Sequence, residues 1–389
     1  MKSCFLALAL STFLNAQSPA DWRAQGKALK LKGDAGGALS AFEKAAEMEP
    51  NAADLQDEIG FLLAVMGRPA EGISHFDRAL SLNPRYAPAH YHLGVALWLR
   101  KEPEKAIASL REALKSDPRN AEYHFRLGSM LRDSGDIPGS RTSIQKAVAL
   151  NPANTDYRTS LGFTLLDLGL AKEGLAQFQQ ILKTDPNNRA AQINIGYTYL
   201  QTDDYDAALA QFEKLAAQYP NEAVIHYDLG LARKQKDQLG AAKESFRTAL
   251  TLDPEMVAAY YTLGITCWQN GDIDETVEAM RKAIARQPSY AEAHYMLGTA
   301  LKQKGELDEA AKALEEAIRL NPETPGPYNT LAQIRQIQGN RDAAKELFAK
   351  AAEVKKKLEA AQAERLKSMG PATRSSLPRP ATPAPPLRP

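Results

Sequence analysis

Cysteine is almost missing: the 389 residues hold two, Cys4 and Cys267, which excludes a disulfide framework and any zinc site built on paired cysteines. No CxxC, HExxH, GxGxxG or GxxxxGK[ST] occurs either. The chain therefore carries none of the spaced motifs that hold a zinc ion, a dinucleotide or a nucleoside triphosphate. An excess of one charge is also missing. With 48 Lys and Arg against 47 Asp and Glu, the net charge is +1, and no field exists to draw in nucleic acid or an anionic surface. No uninterrupted apolar run is long enough to span a bilayer.

What the sequence has instead is proline in phase. Pro50, Pro84, Pro118, Pro152, Pro186, Pro220, Pro254, Pro288 and Pro322 follow one another at intervals of 34 residues without insertion or deletion. Near-copies ride on that period: "NPRYAPAHYHLG" at residues 83–94 returns as "QPSYAEAHYMLG" at 287–298. A fixed period of this length marks a repeat architecture. Counting each unit so that its proline stands thirty-second gives ten units over residues 19–358, with glycine at the eighth place from Gly26 to Gly298 and Ala332 in the last.

Each unit holds two apolar stripes at helical spacing, such as Leu93 and Leu97, then Ile107, Leu110 and Leu114, which predicts a helical hairpin. Glycine inside a helix costs about 1 kcal/mol against alanine. Nine at one place imply a close approach of the paired helices, with the small residue at the twentieth place, as in Ala38, Gly72 and Ala106, on the facing side. Large residues at the twenty-fourth place, Phe42, Phe76, Phe178, Phe212 and Phe246 among them, fill the space between. The in-phase proline stops the second helix. Pro69, Pro103 and Pro138 fall where the first turn of that helix tolerates them.

This pattern resembles the tetratricopeptide repeat family, and the first unit shows it most fully with Trp22, Gly26, Leu29, Gly33, Ala38, Phe42, Ala45 and Pro50. The resemblance implies an all-α, right-handed superhelical solenoid of ten hairpins, whose first helices line a concave surface. It also implies what to look for there. The chaperone-docking class holds peptide carboxylates through Lys at the fifth place and Asn at the ninth, and neither residue ever stands there in this chain. That function is not carried over. The asparagine ladder of the glycosyltransferase arrays is missing too, since the sixth place reads His92, Arg126, Ser160, Asn194, Asp228 and Thr262.

The ends depart from the period. Met1-Lys2-Ser3 followed by "CFLALALSTFL" has the shape of a secretory signal peptide over residues 1–16, so the expected location is outside the cytoplasm, periplasmic or secreted. Removing it would leave Cys267 as the sole cysteine. Where the phase calls for another proline the chain has Lys356, so the last helix is expected to continue through 359–369 as a polar cap. Residues 370–389, rich in proline, are expected to be disordered or polyproline II.

No catalytic constellation is evident. His90, His124, His226 and His294 share the fourth place, where Trp22 stands in the first unit, and so read as variants of one structural slot. Cys267 occupies a packing slot held by Leu63, Leu97 and Leu131 elsewhere. The sequence predicts no enzyme, no metal and no cofactor.

The inner stripe is the informative part. Places two, five, nine and twelve share one helical face. They give a basic start (Arg23, Lys27, Lys30), an acidic neighbour (Asp54, Asp57), and then an apolar and aromatic stretch: Tyr91, Trp98, Phe125, Phe163, Leu166, Ile193, Tyr197, Leu200, Tyr227, Leu231, Tyr261, Ile265, Trp268 and Tyr295. A long exposed apolar band is a liability unless it marks an interaction site. The sequence therefore points to a scaffold that binds one or more proteins or peptides in an aromatic-lined groove. It points to neither a nucleic-acid partner nor stable membrane insertion once the leader is gone. The other reading is an envelope assembly component that associates with itself through outer or end surfaces, the stripe then serving as packing between helices.

Overall fold

The computed structural model describes residues 18–368. The leader and the proline-rich tail expected from the sequence lie outside that range. Among the described residues every element is a helix. The chain divides into two compact units that meet in sequence between Leu165 and Leu166. The first holds α1 (Pro19–Leu31), α2 (Ala35–Met48), α3 (Ala53–Val65), α4 (Pro69–Leu82), α5 (Ala87–Leu99), α6 (Pro103–Ser116), α7 (Ala121–Asp133) and α8 (Ile137–Leu150). The helix α9 (Thr155–Asp167) carries the division. The second unit continues with α10 (Ala171–Thr184), α11 (Arg189–Gln201), α12 (Tyr205–Gln218), α13 (Ala223–Gln235), α14 (Leu239–Leu252) and α15 (Val257–Asn270). It ends with α16 (Ile273–Arg286), α17 (Ala291–Lys304), α18 (Leu307–Leu320), α19 (Pro325–Ile337) and α20 (Arg341–Ser368).

Within each unit the helices pair as hairpins, α1 with α2, α3 with α4, α11 with α12 and so on to α19 with α20. The sequence explains many of the helix ends. Second helices such as α2 and α4 stop at Met48 and Leu82, two residues short of Pro50 and Pro84. Where proline gives way to Lys356, α20 runs on to Ser368. Pro69 and Pro103 open α4 and α6, where no N–H is needed. Side chains of Asp34, Asp136 and Asp204 cap α2, α8 and α12 by accepting from the backbone N–H of Gly37, Gly139 and Ala207.

The fifteenth place of every hairpin adopts a left-handed backbone. Seven of these residues are glycines, including Gly33, Gly135 and Gly305 at φ of 79°, 87° and 83°. The other three are Lys101, Asp203 and Asp237 at 62°, 59° and 58°, and they bear the steric cost that glycine avoids.

The eighth-place glycines allow the helices to touch. A Cβ built on Gly60 would lie 2.8 Å from the carbonyl oxygen of Gly72, and one built on Gly72 would lie 2.6 Å from that of Gly60. Backbone meets backbone there, and no side chain can yield. At Gly196 and Gly230 the obstacle is the ring of Phe212 or Phe246, 2.5 Å away in each case. These rings, with Phe42, Phe76 and Phe178, are fully buried and form the floor of the core.

Candidate functional site

First helices also touch one another from hairpin to hairpin. The helix α3 meets α5 in the first unit, while α15 meets α17 and α17 meets α19 in the second. Among the described residues no two second helices approach as closely. Where these contacts occur the first helices form a layer of their own, and it is on first helices that the sequence placed the candidate residues.

In the first unit two of the three basic residues at the start are paired with carboxylates, while Lys27 is exposed. The Arg23 guanidinium binds Glu49, at 2.9 Å from Nε, and Asp54; the Lys30 ammonium pairs with Glu58 at 2.5 Å. Buried Asp57 meets His92 Nδ1 at 2.8 Å, and Phe61 lies against the same imidazole with ring centroids 5.1 Å apart. Tyr91, Trp98, Phe125 and Phe163 are all half-buried. Tyr91 stacks on Tyr123 at 4.7 Å, and Phe125 lies against Tyr157 at the same separation. The Glu122 carboxylate ties this cluster together, accepting from Tyr91 at 3.3 Å, Tyr157 at 3.0 Å and Arg126 Nε at 2.7 Å. Burial first, and the Glu122 carboxylate second, push the Tyr157 hydroxyl up to about 12.

In the second unit Leu166, Ile193, Tyr197, Leu200, Tyr227, Leu231, Tyr261, Ile265, Trp268 and Tyr295 are likewise half-buried, none sealed and none fully exposed. Ile193, Tyr197 and Leu200 rest on the cluster of Phe212, Leu215 and Ile225. Tyr227 and Leu231 rest on Phe246 and Leu263. Tyr261, Ile265, Trp268 and Tyr295 rest on Met280, Leu297 and Leu301. The stripe is thus one layer with two faces, one fixed against the core and one accessible. Each of these side chains is in part packed and in part accessible.

Two charged residues of α13 are not among the candidates that the sequence singles out. Asp228, at the sixth place, is fully buried. Its Oδ1 accepts the Tyr197 hydroxyl at 2.6 Å, and its Oδ2 has no partner. Burial lifts this carboxyl to about 7, against the opposing hydrogen bond from Tyr197. Lys234, at the twelfth place of the same helix, is half-buried beside the apolar stripe. Its place in the period was the available signal, since it shares the twelfth place with Leu200 and Trp268.

The Cys267 thiol lies with the carboxylates of Asp272 and Glu275, their ligand-capable atoms all within 4.8 Å of one another. Sequence spacing alone does not announce this cluster. Its cation is already supplied by the protein: Lys243 pairs with Asp272 and, at 3.2 Å, with Glu275, while Arg247 also binds Glu275. Burial, reinforced by the Glu275 carboxylate, pushes the thiol up to about 12, which leaves it protonated and weakly nucleophilic.

The fourth-place residues show what their slot does. Nε2 of His90, His124 and His294 lies 3.0 Å from the carbonyl oxygens of Pro84, Pro118 and Pro288, and that of His226 lies 2.8 Å from Pro220. A carbonyl only accepts, so Nε2 carries the proton in each. Arg158, Gln192 and Tyr328 donate to Pro152, Pro186 and Pro322 in the same way. The proline that ends one hairpin is thereby tied to the helix that opens the next. Tyr260 leaves the carbonyl of Pro254 to Arg286, whose guanidinium also lies 4.5 Å over the Tyr260 ring.

Among solved structures, that of the yeast Tom70 resembles the chain with a TM-score of 0.52 at 16% identity, covering 93% of this chain and 92% of that one. At that identity the likeness is one of fold. A crystal structure of MamA shares 29% identity over 43% of this chain and 97% of that one, with a TM-score of 0.42. A human IFIT1 dimer with PPP-AAAA shares 19% identity over 88% and 92%, with a TM-score of 0.38. No curated protein matches the chain. Models of the tetratricopeptide repeat match residues 63–130, then 160–223, 227–282 and 268–325, and finally 326–358. With hairpins, in-phase prolines and close-approach glycines all in place, the chain belongs to the tetratricopeptide repeat family.

Proposed function

We propose that the protein is a non-catalytic scaffold that binds a polypeptide along its inner layer of first helices, with α11, α13, α15 and α17 as the principal seat. One observation carries this reading: Tyr197, Leu200, Tyr227, Leu231, Tyr261 and Trp268 are held half-buried on three consecutive first helices, each resting on the core. Side chains fixed in this way lose little further freedom on binding, so their contact area converts efficiently into affinity. Apolar and aromatic anchors are the usual source of binding energy in such surfaces, and repeat arrays commonly use the layer that first helices form.

The test is a photo-crosslinking residue at Tyr227, with exposed Thr248 of α14 as the control position. Capture of one dominant partner at Tyr227, lost when Leu200 and Leu231 become Asp in an array that still melts cooperatively, is the expected result. Equal capture at both positions would overturn the reading. The leader-like residues 1–16 support placing this activity outside the cytoplasm. N-terminal sequencing of the mature protein tests that, and an intact Met1 would refute it.

Self-association is favoured by a separate observation in the first unit. At the thirteenth place Leu31, Val65 and Leu99 are 90%, 62% and 67% exposed, where the next hairpins carry Asp133, Asp167, Gln201 and Gln235. Sedimentation of the Leu31→Gln, Leu99→Gln double variant against the parent chain tests it. A parent that is already monomeric would dismiss it.

A further inference from the structure

Among the described residues, Lys234 is the only half-buried lysine or arginine with neither a hydrogen bond nor an ion pair. Its counterparts are all held. Arg233 binds Ser245 and Glu213, Lys236 binds Asp206, Lys243 binds Asp272 and Glu275, and Lys302 binds Gln333. Asp228 on the same helix does not serve as its counter-ion. Six residues set the two about 120° apart around the axis and about 9 Å along it, and the one hydrogen bond of Asp228 comes from Tyr197. Burial pulls the Lys234 ammonium below its ordinary range. An ammonium desolvated without a partner loses free energy that a bound anion would restore.

The neighbourhood identifies the anion. The twelfth-place residues of the adjacent first helices are Leu200 and Trp268, and Leu231 lies one turn back on α13. The guanidinium of the preceding Arg233 is committed to Ser245 and Glu213, and the one uncommitted ammonium suits a single negative charge rather than a phosphate, which typically gathers several donors. We propose that Lys234 anchors a carboxylate of the bound peptide, so that the preferred ligand carries an acidic group next to an apolar or aromatic residue. This rests on the reading of the inner layer as a peptide site. It differs in place from the fifth-, sixth- and ninth-place anchors of the chaperone-docking arrays.

The experiment selects from two random heptapeptide libraries, one displayed internally and one with a free C-terminus, against the full chain and against Lys234→Met. Wild-type selections should be enriched in one Asp or Glu beside an apolar residue, or else in the free C-terminus; either source of the carboxylate upholds the proposal. A peptide so selected should bind Lys234→Met roughly 10- to 100-fold more weakly, and Lys234→Glu should select Lys or Arg instead. Peptides whose binding depends on Tyr227 and Leu231 but which carry no carboxylate preference, or which bind Lys234→Met equally well, would overturn the proposal and leave the site standing. Failure to select any peptide sensitive to Tyr227 and Leu231 would overturn both. Cooperative melting of Lys234→Met separates a lost contact from a lost fold.

Discussion

The Tyr197 hydroxyl on α11 reaches across to α13 and donates to Asp228 at 2.6 Å, while the other oxygen of that carboxylate is buried without a partner. A polar group desolvated on one side and satisfied on the other is held in place at a cost to the fold.

That cost is legible as pH dependence. The folded carboxyl keeps its proton up to about pH 7, whereas an unfolded aspartate releases it near pH 4. Between those values the folded chain binds more protons than the unfolded one. Stability therefore falls as pH rises through the window and levels off above it. The span sets an upper bound of about 4 kcal/mol, and relaxation around the charge should reduce the observed effect to ~1–3 kcal/mol. Asp228→Asn keeps an acceptor for Tyr197 but cannot ionise. Its urea midpoint at pH 8 should exceed that of the parent chain, and its profile from pH 5 to 8 should be flatter. An unchanged slope would show that this carboxyl is not the source.

A second prediction comes from the fifteenth place. Lys101, Asp203 and Asp237 hold the left-handed backbone that glycine supplies in the other seven hairpins. A residue with a Cβ gives up roughly 1 kcal/mol in that conformation. Lys101→Gly should therefore stabilise the array by ~0.5–1 kcal/mol even though glycine is the more flexible residue unfolded, and Asp237→Gly should do the same. Chemical denaturation read at a single pH decides it. A loss of stability would mean that the side chains make compensating contacts at the turn.

The period made most of the fold legible. Prolines in phase located the helix ends, the eighth-place glycines located the close approaches, and the twenty-fourth-place aromatics located the core, because each is a local demand of the chain on itself. The candidate site was legible only as a set of positions. That Tyr227 and Trp268 are half-buried depends on how far neighbouring hairpins rotate against each other, and no single unit encodes that rotation. Asp228 and Lys234 were missed for a related reason. Whether a charged residue lacks a partner is decided by side chains on the neighbouring hairpin, as when Arg23 finds Asp54 and Lys234 finds nothing. The Lys243, Asp272 and Glu275 cluster belongs to the same class, since its members sit on successive hairpins.

The fourth place offers a prediction in which the protein supplies its own control. His124 is buried, and its Nε2–H satisfies the carbonyl of Pro118 at 3.0 Å. In α11 the same task falls to Gln192, whose Nε2 donates to Pro186 at 2.9 Å. His124→Ala removes both the donor and the packed ring, and should cost ~1–3 kcal/mol. His124→Gln restores a donor of similar reach and should recover at least half of that loss. The two variants separate the hydrogen bond from ring packing, since a glutamine that performs no better than alanine would assign the whole effect to the imidazole's contacts. Because the bond joins one hairpin to the next, the alanine variant should also speed hydrogen exchange at the amides opening α7 more than at those of α8. Uniform loss of protection across both helices would place the bond within the hairpin's own stability instead of at its junction.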